Sequence, residues 1–346
     1  MQKTLTPSQS FSQNFRAHCK LFYNSNIKFL GGVGEVFIAR NTREYFHLLN
    51  CGGGAGLITA GTTLLKFLIH FAKFNFFSET LFAILNYIFS FLLIQLFGFK
   101  LATKMPSLWG ATLAMKLNDH QLFLETPKKM KKEMIWICRS QFATAMGNLI
   151  FVILSSIAFH FIYRILFHKS FLDSPTSLHV LESFHPFESG TLFFASFTGV
   201  LLWLSSVFAA SAKNYFKKDS IFPLAFNISL GLFLGLTPFL GRILHIPLEV
   251  RHFTLSSGAL TLAFCSLGSE AGAHLHSFLF SIIGILMIGI LNFSVSFFLS
   301  LFFPILINHL NYQKMKVLLK DSLHAFLIVP SHFLLPEEQQ PVSSSS

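Results

Sequence analysis

Residues 278–303 read FLFSIIGILMIGILNFSVSFFLSLFF and contain no Asp, Glu, Lys or Arg. A membrane-spanning α-helix needs roughly 20 consecutive apolar residues, and this stretch exceeds that length. It lies in a longer window, 271–313, that also lacks these four residue types. The window is too long for one upright span, but the stretch that ends before Pro304 fits one tilted helix. The sequence therefore predicts a transmembrane helix at this position.

Composition extends this prediction to the whole chain. Of the 346 residues, 52% are apolar and 12% are charged, whereas an ordinary soluble domain has about 25% charged residues. So few Lys, Glu and Asp side chains could not hide 45 phenylalanines from water. These numbers exclude a water-soluble domain and predict an all-α, polytopic transmembrane helix bundle.

Six further windows between charged residues locate the other spans. The penultimate window, 252–269, begins with His252 and is less apolar than the rest. It suits either a re-entrant segment or a full span, so about six spans are predicted. Each of the other five windows fits one crossing: 45–65, 80–99, 140–163, 189–212 and 220–241.

The basic residues predict the orientation of the bundle, because cytoplasmic loops accumulate Lys and Arg. With six spans, 20 of the 26 Lys and Arg fall on the side of the N-terminus, five fall on the other side, and Lys66 lies at the edge of the first span. A seventh span would reduce this asymmetry to 17 against eight. The expected organisation is a membrane domain at 45–313 with three cytoplasmic parts: the N-terminal segment 1–44, the basic loop 100–139 and the C-terminal tail 314–346.

Two glycine runs, 52–56 (GGGAG) and 231–235 (GLFLG), have small residues four positions apart. This spacing allows helix backbones to touch. A phosphate-binding loop is the alternative, but neither run follows a predicted strand or continues into G-K-[ST]. The glycines therefore predict helix contacts. No cofactor-binding motif and no catalytic residue is predicted.

Five polar residues interrupt the apolar windows. Polar side chains inside a membrane are costly and suggest a functional site by default. They indicate either hydrogen bonds between helices or a path for a substrate or an ion. These candidates are Asn86, Gln95, Asn148, Asn227 and Asn292.

The densest group of ionisable residues lies around the 252–269 window, on the predicted outer face. It fits either a metal or anion site or a structured cap held by Arg–Glu pairs. Pro247 interrupts any helix that would align the local His and Glu residues, and the four cysteines are far apart, so no metal site is predicted. The candidate functional cluster comprises Arg242, His245, Glu249, Arg251, His252 and Glu270.

The loop between the second and third spans carries the basic cluster Lys128, Lys129, Lys131 and Lys132 among apolar residues. A basic cluster beside a membrane usually meets anionic lipid. DNA is the alternative, since the same charges would bind phosphates, although no base-reading motif accompanies them. The predicted partners are the lipid bilayer and, at these lysines, anionic lipid or DNA.

A series of strings along residues 34–301 carries a family resemblance. They are GEVFIAR (34–40), REY (43–45), 52–66, LNYIFSF (85–91), GFKLATKMP (98–106), RSQ (139–141), FTGVLLWLSS (197–206), 227–258 and LNFSVSF (291–297). Read in this order, they resemble the integral-membrane site-specific recombinase family, the gonococcal recombinase-like group of Gram-negative bacteria. The chain departs from that family at Val36 and Phe37, where His and Tyr are usual. By this resemblance, we expect the family's long N-terminal region, about as large again, to be missing here.

The resemblance implies a multi-pass protein of the bacterial cytoplasmic (inner) membrane and, by the family name, a role in DNA recombination. Strand exchange needs a nucleophilic Tyr or Ser with basic residues on a DNA-facing surface. Neither arrangement is recognisable, because the nearest group, His160, Tyr163 and Arg164, lies at the outer end of a predicted span. Two hypotheses therefore stand: a membrane protein with a structural, transport or lipid-related role, and a membrane-tethered recombination factor.

Overall fold

A computed structural model of the chain describes residues 24–118 and 127–307, with side chains at 24–116 and 132–303. All regular secondary structure in these ranges is helical, which confirms the all-α class. A helical stretch at 24–35 comes first, and 3₁₀ turns at Ala102–Lys104 and Gly268–His274 lead into two of the later helices. The α-helices are α1 (Thr42–Phe71), α2 (Phe76–Leu96), α3 (Met105–Asn118), α4 (Pro127–Phe167), α5 (Ser174–Ser183), α6 (Thr191–Phe216), α7 (Ile221–Leu244), α8 (Phe253–Leu267) and α9 (Leu275–Ile307).

Six segments of the described chain are helical, long and apolar enough to cross a membrane. Large apolar side chains such as Phe77, Phe89 and Ile165 are more than 60% exposed on the outside, whereas many Ser and Thr residues are buried inside. An apolar exterior, with these polar side chains turned inward, suits a lipid environment. The segments are Thr42–Phe71, Phe76–Leu96, Lys132–Phe167, Thr191–Phe216, Ile221–Leu244 and Phe253–Phe303, the last of which includes both α8 and α9.

Helix α9 runs past Pro304 to Ile307, beyond the end predicted for it. Proline removes one backbone donor but does not prevent the helix from continuing after it.

Glycines hold two helix pairs together at backbone distance, as their spacing predicts. A Cβ atom on Gly52 would lie 2.5 Å from the Thr144 carbonyl oxygen of α4, and one on Gly56 would lie 2.4 Å from that of Asn148. On α7, a Cβ on Gly235 would lie 2.8 Å from the Cα of Ile84 in α2. Larger side chains would therefore separate α1 from α4 and α2 from α7.

The near end of the bundle is defined here as the end at which α1 begins, and the far end as that at which α1 finishes. Residues 97–118 begin at the near end, extend into the bundle and turn back toward the near end. The amide of Lys100 donates to the Cys51 carbonyl (3.1 Å), and a Cβ on Gly110 of α3 would lie 2.4 Å from the Phe297 carbonyl oxygen of α9. Residues 101–114 are buried throughout. This part of the 100–139 segment is therefore a re-entrant element and not a surface loop.

A second re-entrant element, 245–267, enters from the far end. Residues 247–252 have no helical structure and descend into the bundle, and α8 then returns toward the far end, where Ser266 contacts His160 and the amide of Leu172. With 15 residues, α8 is too short to cross the membrane alone. The structure thus favours the re-entrant alternative for 252–269.

Candidate functional site

The two re-entrant elements meet inside the bundle. The Thr103 hydroxyl oxygen lies 2.7 Å from Nε2 of His252, and both residues are buried. Thr103 stands two residues before α3, and His252 is the N-cap of α8. The N-terminal ends of two helices therefore converge here, and because helix N-termini carry partial positive charge, this junction is electropositive. We call the contact between Thr103 and His252 the junction.

Asn148 of α4 fixes the first re-entrant element. Its side-chain oxygen accepts from the amide of Ala102 (3.0 Å), and its side-chain nitrogen donates to the carbonyls of Gly52 (2.8 Å) and Lys100 (3.0 Å). One amide side chain thus satisfies backbone groups that a non-helical segment leaves without intrahelical partners.

Asn292 of α9 does the same for the second element. Its oxygen accepts from the Phe253 amide (3.1 Å), and its nitrogen donates to the carbonyls of Ala195 (2.9 Å) and Arg251 (3.0 Å). Asn148 and Asn292 therefore hold the starts of the two short helices from two different spans, α4 and α9.

Lys104 is a buried cation beside the junction, with 8% of its surface exposed. Its ammonium donates to the side-chain oxygen of Asn227, and Asn227 donates in turn to Gln95. The ammonium lies 4.5 Å from the ring centre of Phe91 and 5.7 Å from that of Phe226. Among the described side chains it has no carboxylate partner, so its charge is not neutralised by the protein there.

Arg251 links the junction to the far end. It is 6% exposed, forms an ion pair with Glu249 and donates to the Ser183 hydroxyl (3.4 Å). Its guanidinium also lies 4.7 Å from the ring centre of Phe184. The Glu249 side chain is 49% exposed, so this ion pair connects the buried interior with the far surface.

A cavity of about 260 Å³ reaches the junction from the side, between α4 and α9. Its lining is mostly apolar and includes Thr103 and Phe253, together with Gln141 of α4. Leu286 and Ile290 at its rim are about half exposed on the outer surface of the bundle. The cavity therefore joins the lipid-facing surface to the place where the two re-entrant elements meet.

The predicted ionisable cluster is divided by the fold. Arg242 pairs with Glu79 of α2 (3.2 Å) at the far surface, His245 is exposed, and Glu270 accepts from the Ser174 hydroxyl (2.8 Å). The other three members, at positions 249, 251 and 252, lie together on the non-helical segment 247–252 of the second re-entrant element. In the described ranges, no group of three or more His, Cys, Asp or Glu side chains could hold a metal ion.

A polar groove of about 390 Å³ lies at the far surface near Arg242. Asp173 on its wall caps α5 by accepting from the amide of Thr176 (3.1 Å). Hydrogen bonding from Thr176 lowers the pKa of the Asp173 carboxyl below its usual value. The groove therefore keeps a negative charge beside the cationic Arg242.

The predicted intramembrane polar residues all make contacts with other parts of the fold. Asn148 and Asn292 anchor the re-entrant elements, and Asn227 with Gln95 contacts Lys104. Asn86 donates to the carbonyl of Thr62 in α1 (2.9 Å), but its side-chain oxygen has no partner in the described structure. Hydrogen bonding between elements is thus observed, while a path for a solute remains a proposal.

The predicted lipid-binding cluster is only partly within the described structure. The side chains of Lys128, Lys129 and Lys131 lie outside the described residues. The ammonium of Lys132 lies 4.9 Å from the ring centre of Trp136. Its interaction with anionic lipid stays a prediction.

Sequence reasoning missed Thr103 and Lys104, because the charge count assigned both to a cytoplasmic loop. One signal was present. Residues 105–115 (MPSLWGATLAM) form an uncharged stretch between Lys104 and Lys116. Apolar stretches of roughly 10–14 residues are too short to span and indicate buried or re-entrant segments.

Comparison with protein families identifies the chain. A family model described as site-specific recombinase matches residues 3–223 and 216–336, which together cover almost the entire sequence. The chain belongs to the site-specific recombinase family. Searches of curated proteins and of solved structures found no match.

In this site-specific recombinase family member, His160, Tyr163 and Arg164 have different surroundings. His160 is buried and contacts Ser266 (3.4 Å), whereas Arg164 is exposed and Tyr163 packs against Phe171. The three residues that came nearest to such a group in the sequence therefore point to different surroundings.

Proposed function

We propose that this protein is a multi-pass transport protein of the bacterial cytoplasmic membrane, and that a small solute crosses the bilayer at the junction. The observation that carries this proposal is the contact between Thr103 and His252, which joins re-entrant elements from opposite ends of the bundle. Membrane proteins tolerate non-helical backbone at depth where it is buried in protein or lines a path for solute.

Polar groups on both sides of the junction support this proposal. Toward the near end, Lys104 is followed by Asn227 and the half-buried Gln95. Toward the far end, Arg251 is followed by Glu249. Ionisable residues inside a membrane protein commonly mark the path of a substrate or an ion.

We propose that the near end, with both termini, faces the cytoplasm. The excess of basic residues on that side supports this orientation. Three of these basic residues have contacts inside the fold: Lys104 and Arg139 are buried, and Lys116 pairs with Glu35. The excess of basic residues persists when these three are not counted.

Transport is tested with the purified protein in liposomes, by stopped-flow swelling in urea, in glycerol, and in potassium chloride or potassium nitrate with valinomycin, which lets K⁺ enter with the anion. We expect at least one solute to enter faster than into protein-free liposomes. Thr103→Val, which keeps the side-chain shape but removes the junction contact, should change that rate. Thr261→Val is the matched control, since the Thr261 hydroxyl bonds only to the Ser257 carbonyl of its own helix. The proposal fails if no solute enters faster, or if both variants behave alike.

A role in DNA recombination is the second candidate, and the family match favours it. Nucleophilic strand exchange passes through a covalent link between DNA and a Tyr or Ser side chain. Denaturing the protein after incubation with radiolabelled duplex DNA would trap such a link. We expect none, and a labelled band mapped to a Tyr or Ser peptide would establish recombination instead of transport.

A further inference from the structure

We propose that Lys104 binds a small monovalent inorganic anion of the chloride type at the junction, with Nδ1 of His252 as a second donor. The inference rests on the proposed function, because the anion occupies the same junction and is the solute class expected to cross there.

The first argument is charge balance. Lys104 is more than nine-tenths buried, and no carboxylate in the described structure pairs with it. The rings of Phe91 and Phe226 attract the ammonium but carry no net charge. Arg251 does not need a further counterion, since Glu249 pairs with it. The protonated form of Lys104 is therefore uncompensated among the described side chains, and an ion of single negative charge would balance it.

His252 provides an independent sign of a missing partner. The side chain is fully buried, and Nδ1 has no hydrogen-bond partner in the described structure. Nε2 is occupied by the hydroxyl of Thr103. When that hydroxyl donates to Nε2, the neutral ring carries its hydrogen on Nδ1 and can donate to a ligand.

The positions of these groups favour one shared ligand. The Phe91 ring lies 4.5 Å from the Lys104 ammonium and 6.4 Å from the ring centre of His252, so both donors border the same aromatic side chain. The starts of α3 and α8 add the partial positive charge of two helix N-termini. Because Lys104 is almost completely enclosed, the ligand must be small.

Chloride binding is measured on the purified full chain in detergent. The melting temperature in sodium chloride is compared with that in sodium gluconate at equal ionic strength. A ligand that binds only the folded protein raises the melting temperature, so we expect chloride to raise it by several degrees. Lys104→Gln should abolish this shift. Lys116→Gln should keep it, because Lys116 lies in α3, the helix that follows Lys104, but already pairs with Glu35 and Glu133.

Asn227→Asp keeps the test decisive if Lys104→Gln does not fold. The substitution places a carboxylate where the side-chain oxygen of Asn227 already accepts from the Lys104 ammonium. This carboxylate would balance the charge of Lys104, so the melting temperature of the variant should not respond to chloride and should exceed that of the wild type in gluconate. The proposal is overturned if the wild-type protein shows no chloride shift, or if the shift is the same in Asn227→Asp and in Lys104→Gln as in the wild type.

The liposome experiment separates this inference from the proposed function. A chloride shift that depends on Lys104, without any solute entry into liposomes, would leave the anion site in place and refute transport. Entry of urea or glycerol without a chloride shift would support transport and refute the anion site. Chloride entry that falls about tenfold in Lys104→Gln, with the Lys116→Gln rate unchanged, is the result expected if both hold.

Discussion

Replacing Asn292 by Leu tests whether asparagine side chains hold the re-entrant elements in place. The two side chains have the same branched shape and number of heavy atoms, so the substitution removes hydrogen bonds without opening a cavity. Asn292 is fully buried and bonds to the Phe253 amide and to the carbonyls of Ala195 and Arg251. We expect Asn292→Leu to lower the free energy of unfolding by about 2–6 kcal/mol.

Two estimates give this range. Hydrogen bonds between membrane helices are worth about 0.6 kcal/mol each on average, so three of them contribute about 2 kcal/mol. The substitution also leaves the Phe253 amide and the Arg251 carbonyl buried without partners, at about 1–3 kcal/mol per group. The Ala195 carbonyl adds little, because it also accepts a hydrogen bond within α6.

Asn86→Leu is the matched control. Asn86 is also buried in a span, but within the described residues it makes one hydrogen bond, to a helical carbonyl, and its oxygen has no partner. Its replacement should change the free energy of unfolding by less than about 0.6 kcal/mol. Unfolding both variants in detergent by titration with SDS, followed by circular dichroism, gives the two values. Equal losses for Asn292→Leu and Asn86→Leu would refute the assigned role.

Three further predictions concern packing, orientation and lipid. Gly235→Leu should lower the yield of folded protein, since its side chain would meet the backbone of Ile84, whereas Gly61→Leu should be tolerated because a Cβ there meets nothing within 4 Å; size-exclusion chromatography in detergent gives both yields. Cysteines introduced singly into a cysteine-free chain should react with an impermeant reagent on intact cells at position 180 and not at position 120, and the reverse pattern would contradict the proposed orientation. Neutralising the four lysines of the basic cluster should weaken binding of phosphatidylglycerol by the detergent-purified protein by at most about 1 kcal/mol per charge, and unchanged binding would exclude that cluster as the lipid site.

The spans could be predicted from sequence because one large energy, the cost of placing a charged side chain in lipid, decides where they lie. An unpaired charge is so costly in lipid that the intervals between charged residues mark the membrane helices almost directly. The window 220–241 and helix α7 (Ile221–Leu244) agree closely for this reason. The glycine contacts were predictable too, since the small residues of a helix pair must lie on one face for the backbones to touch.

The junction could not be predicted in the same way. A charge count treats every lysine as a surface residue, so it placed Lys104 in a loop, although neighbouring aromatic rings and Asn227 enclose it. Which of the polar residues meet depends on how far each re-entrant element enters the bundle. That depth is set by Asn148 and Asn292, whose partners are more than 35 residues away along the chain.

The use of asparagine at these two positions has a consequence for function. An amide side chain has both donors and an acceptor and carries no charge, so it can satisfy backbone N–H and C=O groups in lipid without the desolvation cost of an ion. Each re-entrant element is therefore anchored to the surrounding spans, Asn148 to the first and Asn292 to the second. The contact between Thr103 and His252 is not needed to hold either element in the bundle. The Thr254 hydroxyl at the start of α8 also donates to the Asn148 oxygen (3.3 Å), so both elements share this anchor, and a break of the Thr103–His252 contact would leave them linked there.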